Sequence, residues 1–578
     1  MRRSWLGIIA VFLVATSTSA EEEEAPTPPT VEVQLQQGAI EGLRSEAGGG
    51  RFFYSFKTIP FAQPPVGDLR FEDPIPAEGW TGVRDGSAVT PKCPQLSIST
   101  YITGDRIIVE GQEDCLYLSV YTPQPQASNL PVMVWIHGGA FTLGCAEEYS
   151  PLPLLTRDIV LVVIQYRLAT LGFLSTGDAE LPGNLGLKDQ TLALRWVQDN
   201  IRSFGGDPDR VTIFGESAGG ASVHYHVLSP MSKNLFKRAI MQSGTTLCPW
   251  ALREDHREVL TKLLPLFNCS GVDHTSGSLD SAAAVACLKK VPADKLTSVQ
   301  LAFNVWNGNP TVMLPRVDGE FLPDYPAVIL REGNYNKVDL IAGITKHEGE
   351  ISSLMTIGNK EASTRLVENF SQNGPAALYL DTWDDDAEYL ARRAFHHYLG
   401  PLKVTVDKAE AYMQLMGDIM FTTCFVDAVE EHTKDAAFGH RIYTYELEYI
   451  GEHKMSELFF GPQPSRTSAT GVGHGDDLLY LFSSMLGNKT MMRNEDLFVR
   501  RIMLDLWVNF ASTGNPTPDL SLGFKWTPMS HPRDTQLSIT LTPFMKDFSY
   551  HQVYDFWRNM PTKKNKLLHP KRFSKCHS

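Results

Sequence analysis

The chain has 578 residues, of which 43% are hydrophobic and 20% charged, which is ample for a large buried core. Fifty-two Lys and Arg against 66 Asp and Glu leave a formal net charge of -14. That balance argues against nucleic acid, whose phosphates demand a basic face, and favours solubility.

The N-terminus carries Arg2 and Arg3, an apolar run from Leu6 to Val14, and small residues ending at Thr18, Ser19 and Ala20. This pattern predicts a secretory signal peptide over residues 1–20. The apolar run is too short for a membrane helix, which needs about 20 such residues. Glu21 to Glu24 and the Pro- and Thr-containing stretch after them predict a solvated leader over 21–30, with folded structure from near Val31. In a secreted chain the eight cysteines should be partly oxidised. Cys93 with Cys115, and Cys269 with Cys287, each flank loop-like sequence, but spacing alone does not fix the pairing. Among Cys145, Cys248, Cys424 and Cys576 no spacing resembles a zinc site.

Pro131–His137 and Ile159–Tyr166 read as strands, Thr191–Arg202 as an amphipathic helix and Arg210–Phe214 as a third strand. Further strands are predicted at Ala239–Gln242, Val338–Gly343 and Arg441–Leu447, with helical insertions between Cys248 and Lys337 and between Ile351 and Phe438. Short β-rich runs separated by helices indicate an α/β chain with a mostly parallel central sheet covered on both faces. No repeat is present. The end of the chain is basic and polar and predicts a tail over 561–578, following a single domain over 31–560. That end holds neither a hydrophobic tail nor a retention tetrapeptide, so the protein is expected to leave the cell without a membrane anchor.

The sharpest chemical signal is Gly215-Glu216-Ser217-Ala218-Gly219, between the strand at Arg210–Phe214 and a helix-compatible stretch, Ala221–Leu228. A nucleophilic serine must stand on a tight strand-to-helix turn, and flanking glycines let the backbone bend there. The N–H of Ala218, at a helix N-terminus, is a natural donor to an oxyanion. The loop after the first strand, His137-Gly138-Gly139-Ala140-Phe141, offers a second set of donors, with Gly139 and Ala140 the candidates and Gly138 beside them. An acid and then a histidine should follow the serine. Glu348 leaves the end of the strand at Val338–Gly343, where catalytic groups gather, with Glu350 and Asp318 as competitors. Among 16 histidines, His474 lies between Gly473 and Gly475 on a loop; His224 and His226 should pack on the helix after the serine, and His396 and His397 should be solvated. Asn268, Asn369 and Asn488 begin Asn-x-Ser/Thr sequons and are expected glycan sites. Cys576 is either an idle thiol or an intermolecular link, the latter giving a homodimer.

Ordered blocks carry a resemblance over nearly the whole mature chain. They are Glu113 to Leu118, Trp135 to Phe141, Asn184 to Gln190, Phe204 to Pro208, Phe214 to Gly220, Glu348-Gly349 and Gly473-His474-Gly475. In these the sequence resembles the type-B carboxylesterase and cholinesterase family, with wording similar to arthropod carboxylesterases. The resemblance implies the α/β-hydrolase fold, a Ser217, Glu348, His474 triad, an oxyanion hole from Gly139, Ala140 and Ala218, and disulfides Cys93–Cys115 and Cys269–Cys287. It also implies a structural Arg70–Glu113 pair and a supporting role for Glu216. The loop from Cys93 to Cys115 lacks the tryptophan with which cholinesterases hold a quaternary ammonium, which speaks against choline esters. Ala140 replaces the third glycine of the oxyanion loop but keeps its N–H. Glu216 stands where juvenile hormone esterases usually have glutamine.

The expectation is therefore a secreted serine carboxylesterase working through an acyl-enzyme on a small-molecule ester, with no metal or organic cofactor. A hormone-type esterase selective for a terpenoid methyl ester is the alternative among enzymes. A non-catalytic adhesion protein is the alternative of another class, and it would be expected to have lost the serine, the histidine or an oxyanion glycine.

Overall fold

The computed structural model describes residues 29–574 apart from 104–105, 127–128, 270–278, 381–383, 385, 462–470, 484–490, 492 and 532–533. The expected signal peptide, most of the leader, the sequon at Asn488, and Cys576 lie outside the described residues.

Runs rich in β-branched and aromatic residues form the strands Thr30–Gln34 (β1), Ala39–Gly48 (β2), Arg51–Pro60 (β3), Val83–Asp85 (β4), Gln95–Leu96 (β5), Val109–Glu110 (β6), Tyr117–Thr122 (β7), Leu130–Ile136 (β8) and Val160–Ile164 (β9). They continue as Gly206–Glu216 (β10), Arg238–Gln242 (β11), Asp339–Thr345 (β12), Ile442–Leu447 (β13), Thr535–Ile539 (β14) and Phe544–Asp547 (β15). All but β5 and β6 join one 13-stranded sheet, ordered β1-β2-β3-β7-β9-β8-β10-β11-β12-β13-β14-β15, with β4 on β2. The run from β9 through β8 to β14 is parallel, and the flanking strands are antiparallel except β4, which pairs with β2 in parallel.

Because side chains alternate across a strand, the sheet feeds two cores. On β8, Val132, Val134 and Ile136 enter one core, while Met133 and Trp135 enter the other. The first face is covered by Leu185–Asn200 and Ala218–Leu228, the second by Asn494–Thr513 with Trp507 at its centre. Burial on both sides explains why these strands read as continuous apolar runs. The helical insertions fall where the sequence predicts them, for example at His256–Leu263 and Ala387–Leu399.

Three boundaries differ from expectation. The helix read from Thr191 begins at Leu185, because Lys188, Asp189 and Gln190 are buried and erase the polar face that periodicity looks for. Asp189 is matched there by Arg167, through Nε at 2.8 Å and Nη2 at 2.7 Å. The strand read over Arg210–Phe214 runs to Glu216, directly into the turn that carries Ser217. The basic end is not a tail throughout: Lys563–Leu568 is helical, with Asn565 and Leu568 buried.

Cys93 pairs with Cys115 and Cys269 with Cys287, as the resemblance implies. Closing such short loops removes about 3 kcal/mol of chain entropy each from the unfolded state. A third disulfide joins Cys248 and Cys424 across 176 positions and is worth about 5 kcal/mol on the same reasoning. Cys145 is a buried free thiol. Among the described residues, no helix is long and apolar enough to cross a membrane.

Candidate active site

The sheet order places β8 between β9 and β10, so the connections from β8 to β9 and from β9 to β10 run in opposite directions and open a crevice at the carboxyl ends of β8 and β10. His137–Leu143 leaves one side of that crevice and Ser217 the other.

Ser217 has φ +58° and ψ -122°, neither helix nor strand, a strained conformation worth roughly 1–3 kcal/mol. Its surroundings impose it: the Ser217 N–H donates to the Gln242 carbonyl at 2.9 Å, and its own carbonyl accepts from the Ala221 N–H at 2.9 Å. The flanking glycines are dictated by space, since a Cβ on Gly215 or Gly219 would come within 2.5 or 2.1 Å of the Ile136 carbonyl oxygen. Ser217 itself stays partly exposed, and the first-turn N–H groups of the helix that starts at Ala218 have no intrahelical acceptor.

The loop after β8 is closed by the N–H groups of Thr142 and Leu143, which both donate to the Gly139 carbonyl, leaving those of Gly139 and Ala140 outside that turn. Gly139 has φ +104°, and a Cβ there would meet the Leu143 carbonyl oxygen at 2.1 Å. Gly138 abuts the Glu216 carbonyl in the same way, at 2.6 Å. Ala140 adopts φ +53° and is exposed to the cavity side, which explains how alanine is accommodated.

Glu348 lies in the turn after β12, almost wholly buried. Its Oε2 is 2.7 Å from His474 Nδ1, while its Oε1 accepts from the Ser243 hydroxyl at 2.6 Å and the Thr345 N–H at 2.8 Å. His474 follows β13 on a loop pinned by Asp476, which accepts from the N–H groups of Gly473 and Met455 at 2.8 and 2.7 Å. Its other nitrogen, Nε2, lies 3.0 Å from Glu216 Oε1. Burial opposes charge on the imidazole, but the carboxylates of Glu216 and then Glu348 outweigh it and carry the pKa up to about 9. Burial also pushes the Glu216 carboxyl up to about 8, against the pull of His474. Beneath, buried Asp477 accepts from Gln242 Nε2 at 2.8 Å and the Tyr445 hydroxyl at 2.9 Å.

Ser217, His474, Glu216, Gly138 and Gly139 line one cavity of about 380 Å³. Ile98, Leu143 and Ile351 separate it from a second cavity of about 980 Å³ that reaches Ala140. Ser217, His474, Gly138 and Gly139 thus share one cavity wall, Glu348 lies behind His474, and Ala140 lines the second cavity. The competitors do not join them: Glu350 is paired with Lys454 at 3.0 Å, and Asp318 closes a turn by accepting the Leu322 N–H at 2.8 Å. His224 and His226 are buried and packed, and His396 and His397 are exposed, with His397 stacked on Phe556. Arg70 and Glu113 form a two-pronged pair at 2.6 Å. Asn268 and Asn369 are exposed.

Two contributors escaped the sequence reading. Ser243 is the residue after β11, and its neighbour Gly244 sits so close to the elbow that a Cβ would lie 2.0 Å from the Ser217 carbonyl oxygen. Phe421 lays its ring on His474, centroids 4.3 Å apart, from an insertion that no motif marks. No group of three or more His, Cys, Asp or Glu with metal-binding geometry occurs among the described residues.

A family model described as the carboxylesterase family matches residues 29–557. Venom carboxylesterase-6 of Apis mellifera is 34% identical, covering 97% of this chain and 99% of its own length. Juvenile hormone esterase of Tribolium castaneum is 35% identical, covering 89% of each chain. Liver carboxylesterase of Sus scrofa is 35% identical, covering 98% of this chain and 99% of its own.

Proposed function

The chain belongs to the carboxylesterase family and is a carboxylic ester hydrolase, and we propose that it works through an acyl-enzyme on Ser217 with His474 as base and Glu348 as the acid that orients it. In the first step Ser217 Oγ attacks the ester carbonyl carbon and its proton passes to His474 Nε2. The carbonyl oxygen becomes an oxyanion facing the N–H groups of Gly139, Ala140 and Ala218, with Gly138 allowing the approach. Collapse breaks the bond to the alcohol, which leaves with the proton from His474. Water then repeats the sequence on the acyl-enzyme and releases the acid.

The observation that supports this reading most is the pairing of His474 Nδ1 with Glu348 Oε2 at 2.7 Å, on the wall of the cavity that also holds the strained Ser217. Such a bond favours the neutral tautomer with its proton on Nδ1, in which Nε2 is the proton acceptor. Ser217→Ala and His474→Ala are expected to lose most of kcat while folding normally, and an organophosphate is expected to label Ser217 with one equivalent per chain. Labelling of a different serine would refute the assignment.

The substrate proposed is a general carboxylic ester with a bulky apolar part, for which the two adjoining cavities offer room. A terpenoid methyl ester is the second reading, favoured by the relative named juvenile hormone esterase; comparing its turnover with that of short acyl and choline esters decides. We also propose that the protein is secreted after cleavage near Ala20 and glycosylated on the exposed Asn268 and Asn369 as well as on Asn488. N-terminal sequencing and glycosidase treatment of the secreted protein test this. A homodimer through Cys576 would show as a non-reducing band of doubled mass.

A further inference from the structure

Two segments distant in the chain meet beside His474. The first leaves the carboxyl end of β11: Ser243 donates to Glu348, Gly244 underlies Ser217, and Cys248 follows. The second begins with a π-helical turn, Asp418–Thr422, and runs into the helix Thr423–His432. A π-turn widens a helix locally and is often found at functional sites. Here it delivers Phe421 onto the face of His474, with the planes inclined by 32°.

These segments are fastened three times within a few residues. The Cys248–Cys424 disulfide is covalent, the Thr245 hydroxyl donates to the Cys424 carbonyl at 3.2 Å, and Trp250 Nε1 donates to the Met420 carbonyl at 2.8 Å. Phe421, Cys248 and Cys424 are all buried. Glu348 at Nδ1 and Glu216 at Nε2 hold the imidazole by two edges and leave its rotation about the line between them soft; an aromatic face packed on the ring removes that freedom.

We propose that the Cys248–Cys424 cross-link and Phe421 form one positioning unit, in which the staple sets the place of the π-turn and the turn sets the tilt of the His474 imidazole. The inference rests on the reading of His474 as the base. It assigns the third disulfide a part in the reaction as well as in stability.

Full-length enzymes carrying Phe421→Leu, Cys248→Ala with Cys424→Ala, and all three changes together test it. Phe421→Leu and the Cys248→Ala, Cys424→Ala enzyme are each expected to lose about tenfold in kcat with KM within about twofold, and to shift the acidic limb of the pH profile. Because both act on the same ring, the triple variant should be little worse than either alone. Phe421→Tyr, which keeps the aromatic face, should restore most of kcat. Wild-type kcat and pH profile in Phe421→Leu, or losses that multiply in the triple variant, would overturn the proposal. If the enzyme lacking Cys248 and Cys424 does not fold, Thr245→Val with Trp250→Phe, which cuts the two hydrogen bonds and spares the disulfide, replaces it in the same comparison. Organophosphate labelling of Ser217 in the wild type separates the two levels: its absence refutes the triad itself, whereas labelling with unchanged kcat in the variants refutes only the positioning unit.

Discussion

Nε2 of His474 lies 3.0 Å from Oε1 of Glu216, on the opposite edge of the ring from Glu348. The imidazole is therefore held between two carboxylates, which outweigh the cost of burying its charge and place its pKa at about 9. Accepting the serine proton requires the neutral ring, so kcat/KM should rise with pH well past the ordinary histidine range near 6.5. Glu216→Gln keeps the shape and removes the charge. It should move the acidic limb toward lower pH by on the order of one unit. An unmoved limb in a pH–rate series with a neutral ester would remove Glu216 from the proton's surroundings.

Glu348 and Glu350 are both buried carboxylates in one turn, yet their partners divide the work. Glu348 faces His474, whereas Glu350 is paired with Lys454. Glu348→Gln should lower kcat by on the order of 10³ to 10⁴-fold, since an amide no longer stabilises the imidazolium or fixes its tautomer. Glu350→Gln should cost less than about tenfold in kcat and show mainly as reduced thermal stability, from weakening a buried pair. The reverse ranking in steady-state kinetics would relocate the acid.

The parts of this site that chemistry demands at fixed local spacing were legible in the sequence, because glycine is the signature of backbone crowding. Gly215, Gly219 and Gly139 each leave no room for a Cβ, and each stands in a readable motif. Glu348 could be ranked by its position at a strand end, and His474 by the glycines that flank it on a loop. What escaped depends on contacts across the chain. Ser243 is an ordinary serine until β11 and β12 pair and bring it to Glu348, and Phe421 looks like core in a helical insertion. Cys248 and Cys424, 176 positions apart, give no local hint of their bond. The early start of the helix Leu185–Asn200 was hidden for the opposite reason: its buried Lys188 and Asp189 look like surface until their partners Asp73, Glu320 and Arg167 are seen.

Gly139 and Ala140 are neighbours with opposite tolerance. Gly139→Ala would drive a methyl to 2.1 Å from the Leu143 carbonyl oxygen, so the loop must shift and its donors leave the oxyanion. A loss of about 10² to 10³-fold in kcat is expected, the usual effect of losing one such donor. Ala140→Gly relieves a positive φ of 53° and keeps the N–H, so kcat should stay within about threefold of wild type. Burst kinetics with a chromogenic ester resolve the acylation step, and equal effects from the two changes would place the oxyanion elsewhere.

His137, His224, His226 and His256 are wholly or almost wholly buried, and burial pushes all four down: His137 to about 4, His226 and His256 to about 3, His224 well below its ordinary value. For His226 the packing is explicit, with Nε2 against Gln190 Oε1 at 2.9 Å and Nδ1 against the Ser232 hydroxyl at 2.7 Å, an arrangement that suits one neutral tautomer. The unfolded chain takes up protons on these rings near pH 6.5 while the folded protein does not. Their contribution is complete above that pH and is lost as pH falls toward 3 to 4, by up to about 1.4 kcal/mol per unit for each ring. Buried Asp476 and Asp418, raised by burial to about 8 and 6, act with the opposite sign, because the folded state holds their protons as the pH falls. Comparing wild type with His226→Gln isolates the histidine: denaturant unfolding at pH 7, 6 and 5 should show a shallower loss of stability in the variant, by the slope of one ring. Equal slopes would mean that His226 carries its proton inside the fold.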